Sequence, residues 1–237
     1  MSYPIPANES KRLEALRHYQ IMDTLPEQAY DDFILLASTL CHTPVALMTL
    51  LDERRQWFKA NIGLAVSETP RGHAFCTHTI LQREVMVVED ATKDERFAAN
   101  PLVTSSPNIR FYAGAPLIDS EGMALGSLCV IDREPRKLSI EHNRALQALA
   151  RQIMSHMETR KVSAELASAL GQIKTLHGLL PICSYCKEIR NDNGYWQSVE
   201  SFVSSHSEAH FSHGFCPSCI EENFPDVYEQ LKQEDGF

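Results

Sequence analysis

The sequence of 237 residues lacks any long apolar run, and this absence excludes several classes of protein. No stretch approaches the roughly 18 consecutive apolar residues that a membrane-spanning helix needs. The first twelve residues, MSYPIPANESKR, also lack the apolar core of a signal peptide. We therefore predict a cytoplasmic protein that does not bind a membrane.

Basic residues are scarce towards the C-terminus. Residues 183–237 contain three Lys or Arg against ten Asp or Glu, so this segment carries −7 of the total net charge of −9. Binding to a phosphate backbone depends on clustered cations that release counterions. The sequence therefore predicts no nucleic-acid partner, and we expect the acidic segment to contact a protein partner.

The chain has an ordinary globular composition, with 43% hydrophobic and 22% charged residues. Its length exceeds that of a typical single domain and suits one medium domain with an appendage. We predict four segments: an N-terminal helix at 1–23, a domain at 24–157, a connecting helix at 158–181 and a four-cysteine module at 182–237.

Changes in apolar periodicity mark the elements of the domain. Thr24-Leu25-Pro26-Glu27 has the pattern of a helix-capping box, and three- and four-residue apolar spacing follows it. Apolar or alternating runs then predict strands at 45–51, 56–61, 85–89, 110–118 and 124–131, with a short helix at 73–82. This pattern predicts an α+β fold in which an antiparallel sheet of five to six strands is flanked by helices.

A long helix is predicted from residue 139 to about residue 180. Its first apolar stripe suits packing on the sheet. A second stripe continues beyond the domain and comprises Leu166, Leu170, Ile173, Leu176 and Leu180. Either the helix only packs on its own sheet, or the second stripe forms a short parallel coiled coil. We expect the coiled coil, and hence a homodimer.

Several motifs resemble those of the bacterial GAF domain family. They include Arg71-Gly72-His73-Ala74-Phe75-Cys76, the run IRFYAGAPL at 109–117 and the run LGSLCVID at 125–132. The resemblance covers about residues 8–157. It implies a signalling domain with an antiparallel sheet, a small-molecule pocket between the sheet and its covering helices, and frequent dimerisation through terminal helices.

The resemblance does not name a ligand, because one fold serves many functions. The candidate ligand-binding residues are Trp57, Cys76, His78, Arg110 and Tyr112. Cys76 lies near a predicted helix start with His78 close by, so it is either an activated thiol or a small buried apolar residue.

Four cysteines form two pairs near the C-terminus, Cys183-x-x-Cys186 and Cys216-x-x-Cys219. Four thiolates at matched spacing suit a structural Zn²⁺ ion, and iron is the alternative because the pairs are also similar to those of rubredoxin. Tyr195, Trp196, Val199, Phe202 and Val203 have helical spacing between the pairs, and a run of histidines follows at His206, His210 and His213. The segment also resembles a C-terminal tail of bacterial signalling proteins.

Together these observations predict a non-catalytic sensor. A small molecule or redox signal would act on the GAF-like domain, and the dimerising helix and zinc module would relay it to a protein partner. The alternative is a thiol-dependent enzyme, such as a methionine sulfoxide reductase that uses Cys76 and perhaps Cys129. A third class, a pigment-binding photoreceptor, predicts a coloured protein.

Overall fold

The computed structural model describes residues 3–172, 180–191, 193–207 and 209–233. The chain divides into two compact units, Met1–Leu166 and Ala167–Phe237. Among the described residues, no helix combines the length and the apolarity that a membrane crossing requires. The predicted boundaries of the four segments and the cytoplasmic location stay predictions.

The first unit contains a six-stranded sheet in which all neighbouring strands are antiparallel, in the order β3-β2-β1-β6-β5-β4. Its strands are β1 (Val45–Leu51), β2 (Arg55–Ile62), β3 (Glu68–Pro70), β4 (Met86–Val88), β5 (Phe111–Ile118) and β6 (Ala124–Asp132). Its helices are α1 (Glu9–His18), α2 (Gln28–Cys41), α3 (Cys76–Thr79), α4 (Pro101–Thr104) and α5 (Ile140–Gln172), the last of which extends into the second unit. The predicted α+β class with an antiparallel sheet flanked by helices is confirmed.

Strand alternation gives the sheet two buried faces. In β1, Ala46, Met48 and Leu50 pack in one cluster with α1, α2 and α5, which we call the helix face. Val45 and Leu47 pack in a second cluster with α3, β4 and the loops around them, which we call the cavity face. Because successive side chains of a strand point to opposite faces, a fully apolar strand such as β1 predicts burial on both sides.

The start of α2 differs from the predicted capping box. The helix begins at Gln28 after Glu27, which makes no side-chain capping bond, and the Thr24 hydroxyl donates to the carbonyl of Ile21 instead. The ammonium group of Lys59 binds Thr24, the carbonyl of Leu25 and Glu27. The capping box is therefore wrong because a buried amine from β2 engages these groups.

The short helix predicted at 73–82 is also smaller in the structure. A single 3-10 turn at Arg71–His73 precedes α3, which has four residues. The long helix is described only to Gln172, so Ile173 and Leu176 of the predicted coiled-coil stripe lie outside the described residues.

The second unit contains a two-stranded sheet and three short helices. They are β7 (Ile189–Arg190), β8 (Trp196–Gln197), α6 (Val199–His206), α7 (Pro217–Asn223) and α8 (Pro225–Gln233). Tyr195 and Trp196 thus lie in a hairpin, not on the predicted helix, because an Asn191–Gly194 turn closes the pair. His210 and His213 lie beyond the end of α6, so the three histidines do not share a helical face.

Candidate functional site

A cavity of about 250 Å³ lies on the cavity face of the first unit. Most of its wall is apolar, with Leu47, Phe58, Leu64, Ala65, Val66, Ala74, Phe75, Leu102, Pro107, Ile109 and Ile131. Cys76, Tyr112 and Cys129 also line it. An apolar wall with a few convergent polar groups is typical of small-molecule sites.

Aromatic packing holds Cys76 at this wall. Phe75 stacks on Phe97 with ring centroids 3.9 Å apart, and the Thr77 hydroxyl donates to the carbonyl of Arg71. These contacts fix both sides of Cys76, which is the first residue of α3 and is 1% exposed.

Three neighbouring strands each place a polar group within hydrogen-bond range of the Cys76 sulfur. The Thr49 hydroxyl lies 3.4 Å from Sγ, the Tyr112 hydroxyl 3.3 Å and the Cys129 Sγ 3.9 Å. The three groups come from β1, β5 and β6, which are adjacent in the sheet. The site therefore depends on strand pairing as much as on α3.

The Cys76 sulfur acts as a hydrogen-bond acceptor in this cluster. The Thr79 and Tyr112 hydroxyl oxygens lie 2.7 Å apart, so Thr79 can donate to Tyr112 while Tyr112 donates to Cys76. Burial disfavours a Cys76 thiolate, but the hydrogen bonds from Cys129, Ser127, Thr49 and Tyr112 outweigh it and lower the pKa of Cys76.

The pKa values of two neighbours of Cys76, Cys129 and Tyr112, are shifted upward. The hydrogen bond with Cys76 and burial both raise the pKa of Cys129. Burial and the adjacent sulfur raise the pKa of Tyr112. Of the three groups, Cys76 is therefore the one whose deprotonation the cluster favours most.

The structure brings together two of the five predicted ligand-binding residues, Cys76 and Tyr112. Trp57 packs on the helix face. His78 contacts the ring of Phe97 edge-on, and Arg110 donates to the carbonyls of Val103 and Ile109. None of these three lines the cavity.

Thr49 and Ser127 also belong to the site, although neither was predicted from the sequence. They face each other across β1 and β6, with hydroxyl oxygens 3.3 Å apart, and both are completely buried. Thr49 is the one polar residue in the strand VALMTLL. A lone hydroxyl in an otherwise apolar strand was the available signal, because buried polar groups need hydrogen-bond partners.

A second, larger hollow of about 640 Å³ lies between α1 and the β1–β2 turn. Most of its charged side chains are already paired: Arg55 binds Asp23 and Asp52, and Arg17 binds Glu53. These ion pairs leave it a weaker candidate than the cavity beside Cys76.

The first cysteine pair of the second unit lies on a short turn, and the second pair lies at the start of α7. The backbone nitrogen of Lys187 donates to the Cys183 carbonyl, and that of Ile220 donates to the Cys216 carbonyl. Hydrogen bonds from the backbone of the following residues lower the pKa of Cys183 and Cys216. In the described part of the chain, no three His, Cys, Asp or Glu side chains come together as a metal site.

The sequence model of the GAF domain family matches residues 20–157, which is more than half of the chain. The chain belongs to the GAF domain family. Its GAF domain has a sensory role in signalling, and the resemblance predicted from the sequence motifs is confirmed for this part. The likeness of the four-cysteine tail to other signalling proteins stays a prediction.

A cyclic di-GMP phosphodiesterase from Pseudomonas aeruginosa is 43% identical over 157 residues. The match covers 66% of this chain but only 27% of that protein. The prediction that the chain is not an enzyme is wrong on this finding, because a protein named as an enzyme contains so similar a segment. The thiol-dependent enzyme considered from the sequence stays a prediction.

The chain is also similar to solved structures, at much lower sequence identity. The GAF domain of a phosphoenolpyruvate-protein phosphotransferase from Acinetobacter is 21% identical with a TM-score of 0.46, and covers 69% of this chain and 98% of its own. A free methionine-R-sulfoxide reductase from Neisseria meningitidis is 15% identical with a TM-score of 0.49, at the same coverages.

Proposed function

We propose that the GAF domain binds a small, mostly apolar molecule in the cavity and that its occupancy regulates cyclic di-GMP turnover. The observation that carries the first part is the cavity itself. An apolar wall meets the buried polar groups of Cys76, Tyr112 and Cys129 at one point, where the hydroxyl of Tyr112 lies 3.3 Å from the Cys76 sulfur. Such a site orients a ligand with one polar group while the wall contributes affinity.

The second part of the proposal is supported by the Pseudomonas relative, which is named a cyclic di-GMP phosphodiesterase. Fewer than 157 residues of the chain lie outside the range 20–157. The 157-residue match to the relative must therefore include part of the GAF domain. Since only 27% of the relative is matched, the activity of the whole relative comes to this chain as a proposal.

Native mass spectrometry of the freshly purified full chain tests the cavity. We expect a bound small molecule that is released on denaturation. Ala65→Trp places an indole at an exposed position of the cavity wall and should abolish binding. Leu25→Trp is the matched control, because Leu25 is 84% exposed and lies outside the cavity. A ligand retained equally by both variants would rule out the cavity as its site.

Cyclic di-GMP measurement tests the regulatory part. Expression of the full chain in a bacterial host should change the cellular cyclic di-GMP level, and Ala65→Trp should alter that change while Leu25→Trp should not. An unchanged level on expression of the unmodified chain would refute the link to cyclic di-GMP. The ligand-binding part of the proposal would not be affected by that result.

We also propose that the four tail cysteines bind one structural Zn²⁺ ion. The proposal is supported by the two Cys-x-x-Cys pairs, one on a turn and one at the start of α7, and by the small core of the second unit. Its only buried apolar side chains among the described residues are Ile189 and Phe202. So small a core does not hold a domain together, and small domains commonly add a metal.

Metal analysis of the purified chain tests this proposal, with one zinc per chain expected. Cys183→Ser should lower the zinc content, because it removes one thiolate ligand. Ser218→Ala is the control, since Ser218 lies between Cys216 and Cys219 but supplies no thiol. Iron in place of zinc, or no metal, would refute zinc.

The relay is proposed to run through a homodimer formed by the end of α5 to a protein partner of the acidic second unit. Val162 and Leu166 lie four residues apart on α5 and are 52% and 59% exposed. Leu166→Glu should convert a dimer to a monomer in light-scattering measurements, whereas Ala164→Glu, on another side of the helix, should not. A monomeric unmodified chain would contradict the relay.

A further inference from the structure

Two cysteines share the wall of the cavity. Cys76 and Cys129 are 1% and 0% exposed, and their sulfur atoms lie 3.9 Å apart. Both line the cavity, but only Cys76 keeps any exposed surface, so a small molecule inside the cavity can approach Cys76 and not Cys129. The cavity therefore gives the buried Cys76 thiol a route to a reactant, with the Cys129 thiol directly behind it.

The two thiols are chemically unequal. Cys76 accepts hydrogen bonds from the hydroxyl groups of Thr49 and Tyr112, and the Cys129 sulfur lies 3.9 Å from it. Because the thiolate is the nucleophilic form of cysteine, this pattern makes Cys76 the attacking sulfur and Cys129 the resolving one. The lowered pKa of Cys76 and the raised pKa of Cys129 agree with that assignment.

The elements that carry them also differ in how firmly they are held. Cys129 lies in β6 between Leu47 of β1 and Gly114 of β5, with a strand paired on each side. Cys76 begins α3, which has only four residues. A disulfide requires the sulfurs to approach to about 2.05 Å, so α3 is the element that must shift.

We propose that Cys76 and Cys129 form a dithiol that reacts with small hydroperoxides to give an intramolecular disulfide. The Cys76 thiolate attacks one peroxide oxygen, the O–O bond breaks, and the departing alkoxide or hydroxide takes a proton to leave as alcohol or water. The Cys129 thiol then attacks the sulfur of the Cys76 sulfenic acid, which releases water and forms the S–S bond. Two equivalents of a small thiol reduce the disulfide again.

The inference rests on the proposed function in one respect, namely that small molecules enter the cavity. Disulfide formation would also change the cavity. A disulfide sulfur is a weak acceptor, so Tyr112 and Thr49 would each lose their hydrogen bond to Cys76. Hydroperoxide exposure is thereby expected to weaken ligand binding.

Peptide mapping of the full chain tests the reaction. The reduced protein is treated with a stoichiometric amount of hydrogen peroxide, its free thiols are alkylated, and the cysteine-containing peptides are identified by mass spectrometry. We expect a linked peptide pair that contains Cys76 and Cys129, and its loss on treatment with dithiothreitol. Cys41 is the internal control, because burial on the helix face raises its pKa to about 11.

Variants separate the two roles. Cys129→Ala should leave a Cys76 sulfenic acid that dimedone traps, whereas Cys76→Ala should leave Cys129 alkylated as a free thiol. Tyr112→Phe should slow the reaction of Cys76 roughly tenfold at neutral pH and move its pH profile upward, because it removes one hydrogen bond to the thiolate.

Free Cys76 and Cys129 after a peroxide dose that oxidises the tail cysteines would overturn the inference. The unmodified chain alone gives this answer, so an unstable variant does not obscure it. If native mass spectrometry still shows a ligand in the cavity, the proposed function survives that outcome. A Cys76–Cys129 disulfide in a chain that binds no ligand would support the inference and contradict the proposed function.

Discussion

Gly114 makes room for the hydroxyl group of the tyrosine two residues before it. A Cβ at position 114 would overlap the hydroxyl and ring of Tyr112, which is 1% exposed and so cannot swing outward. The same hydroxyl donates to Cys76. The absence of a side chain at one strand position is therefore a condition for the polar cluster of the cavity.

Gly114→Ala is expected to lower the free energy of unfolding by about 2 kcal/mol, because it overpacks a closed site. It should also reduce the reactivity of Cys76 towards thiol reagents. Urea denaturation measures the first effect. Gly214→Ala is the control, since nothing lies within 4 Å of its Cβ position. Equal stabilities of the two variants would contradict the account.

Glu9 joins two buried arginines. Its carboxylate accepts from Arg12 at 2.7 Å and from Arg71 at 2.6 Å, and both arginines are almost fully buried. Burial alone would raise the pKa of Glu9, but the hydrogen bonds from the two guanidinium groups outweigh it and lower the pKa from 4.5 to about 2.

A depressed carboxyl pKa stabilises the fold above the unfolded pKa, and this contribution is lost as the pH falls towards the folded value. Glu9→Gln is thus expected to destabilise the domain by about 2 kcal/mol at pH 7, with allowance for screening of the partly exposed carboxylate. The difference from the unmodified chain should shrink between pH 4.5 and about pH 2. Glu14→Gln, at an exposed position of the same helix, should show neither effect in urea titrations.

At the scale of the element, α2 is held to β2 at its start by Lys59. The Lys59 ammonium donates to the Thr24 hydroxyl at 2.8 Å, the Leu25 carbonyl at 2.6 Å and the Glu27 carboxylate at 2.7 Å, and its side chain is fully buried. Three acceptors surround the three hydrogens of one ammonium group.

Lys59→Met is expected to cost about 3 kcal/mol, because it leaves several acceptors without a partner inside the protein. Lys93→Met should cost less than about 0.5 kcal/mol, since Lys93 pairs with Asp90 at the surface and is 83% exposed. Thermal unfolding of both variants makes the comparison. Comparable losses would mean that the buried amine contributes no more than a surface one.

The elements that periodicity predicts well are those buried on both sides. The predicted strand at 45–51 coincides with β1, and the predicted strand at 110–118 differs from β5 by one residue. β3 was missed because three residues that end in proline show no alternation. Within the site, Cys76 and Tyr112 were predicted, but Thr49 and Ser127 belong to it through strand register, which depends on contacts between distant segments.

At the scale of the whole molecule, the two units differ in how they are stabilised. The first has apolar clusters on both faces of its sheet. The described part of the second has two buried apolar side chains, Ile189 and Phe202. Several of its aromatic side chains are exposed, among them Tyr185, Tyr195 and Phe215. The folded state of the second unit must therefore be stabilised by an interaction other than the packing of its apolar core.

If that stabilising element is the proposed zinc ion, its removal should unfold the second unit and leave the first intact. A ligand that binds the folded state but not the unfolded state raises the free energy of unfolding, and small zinc modules unfold without their metal. A chelator should therefore abolish dispersion of the amide resonances after residue 180 in an NMR spectrum of the full chain. The unfolding midpoint of the GAF domain should not move, because its two apolar clusters contain no residue of the second unit. A tail that keeps its resonances without metal would show that zinc does not hold it.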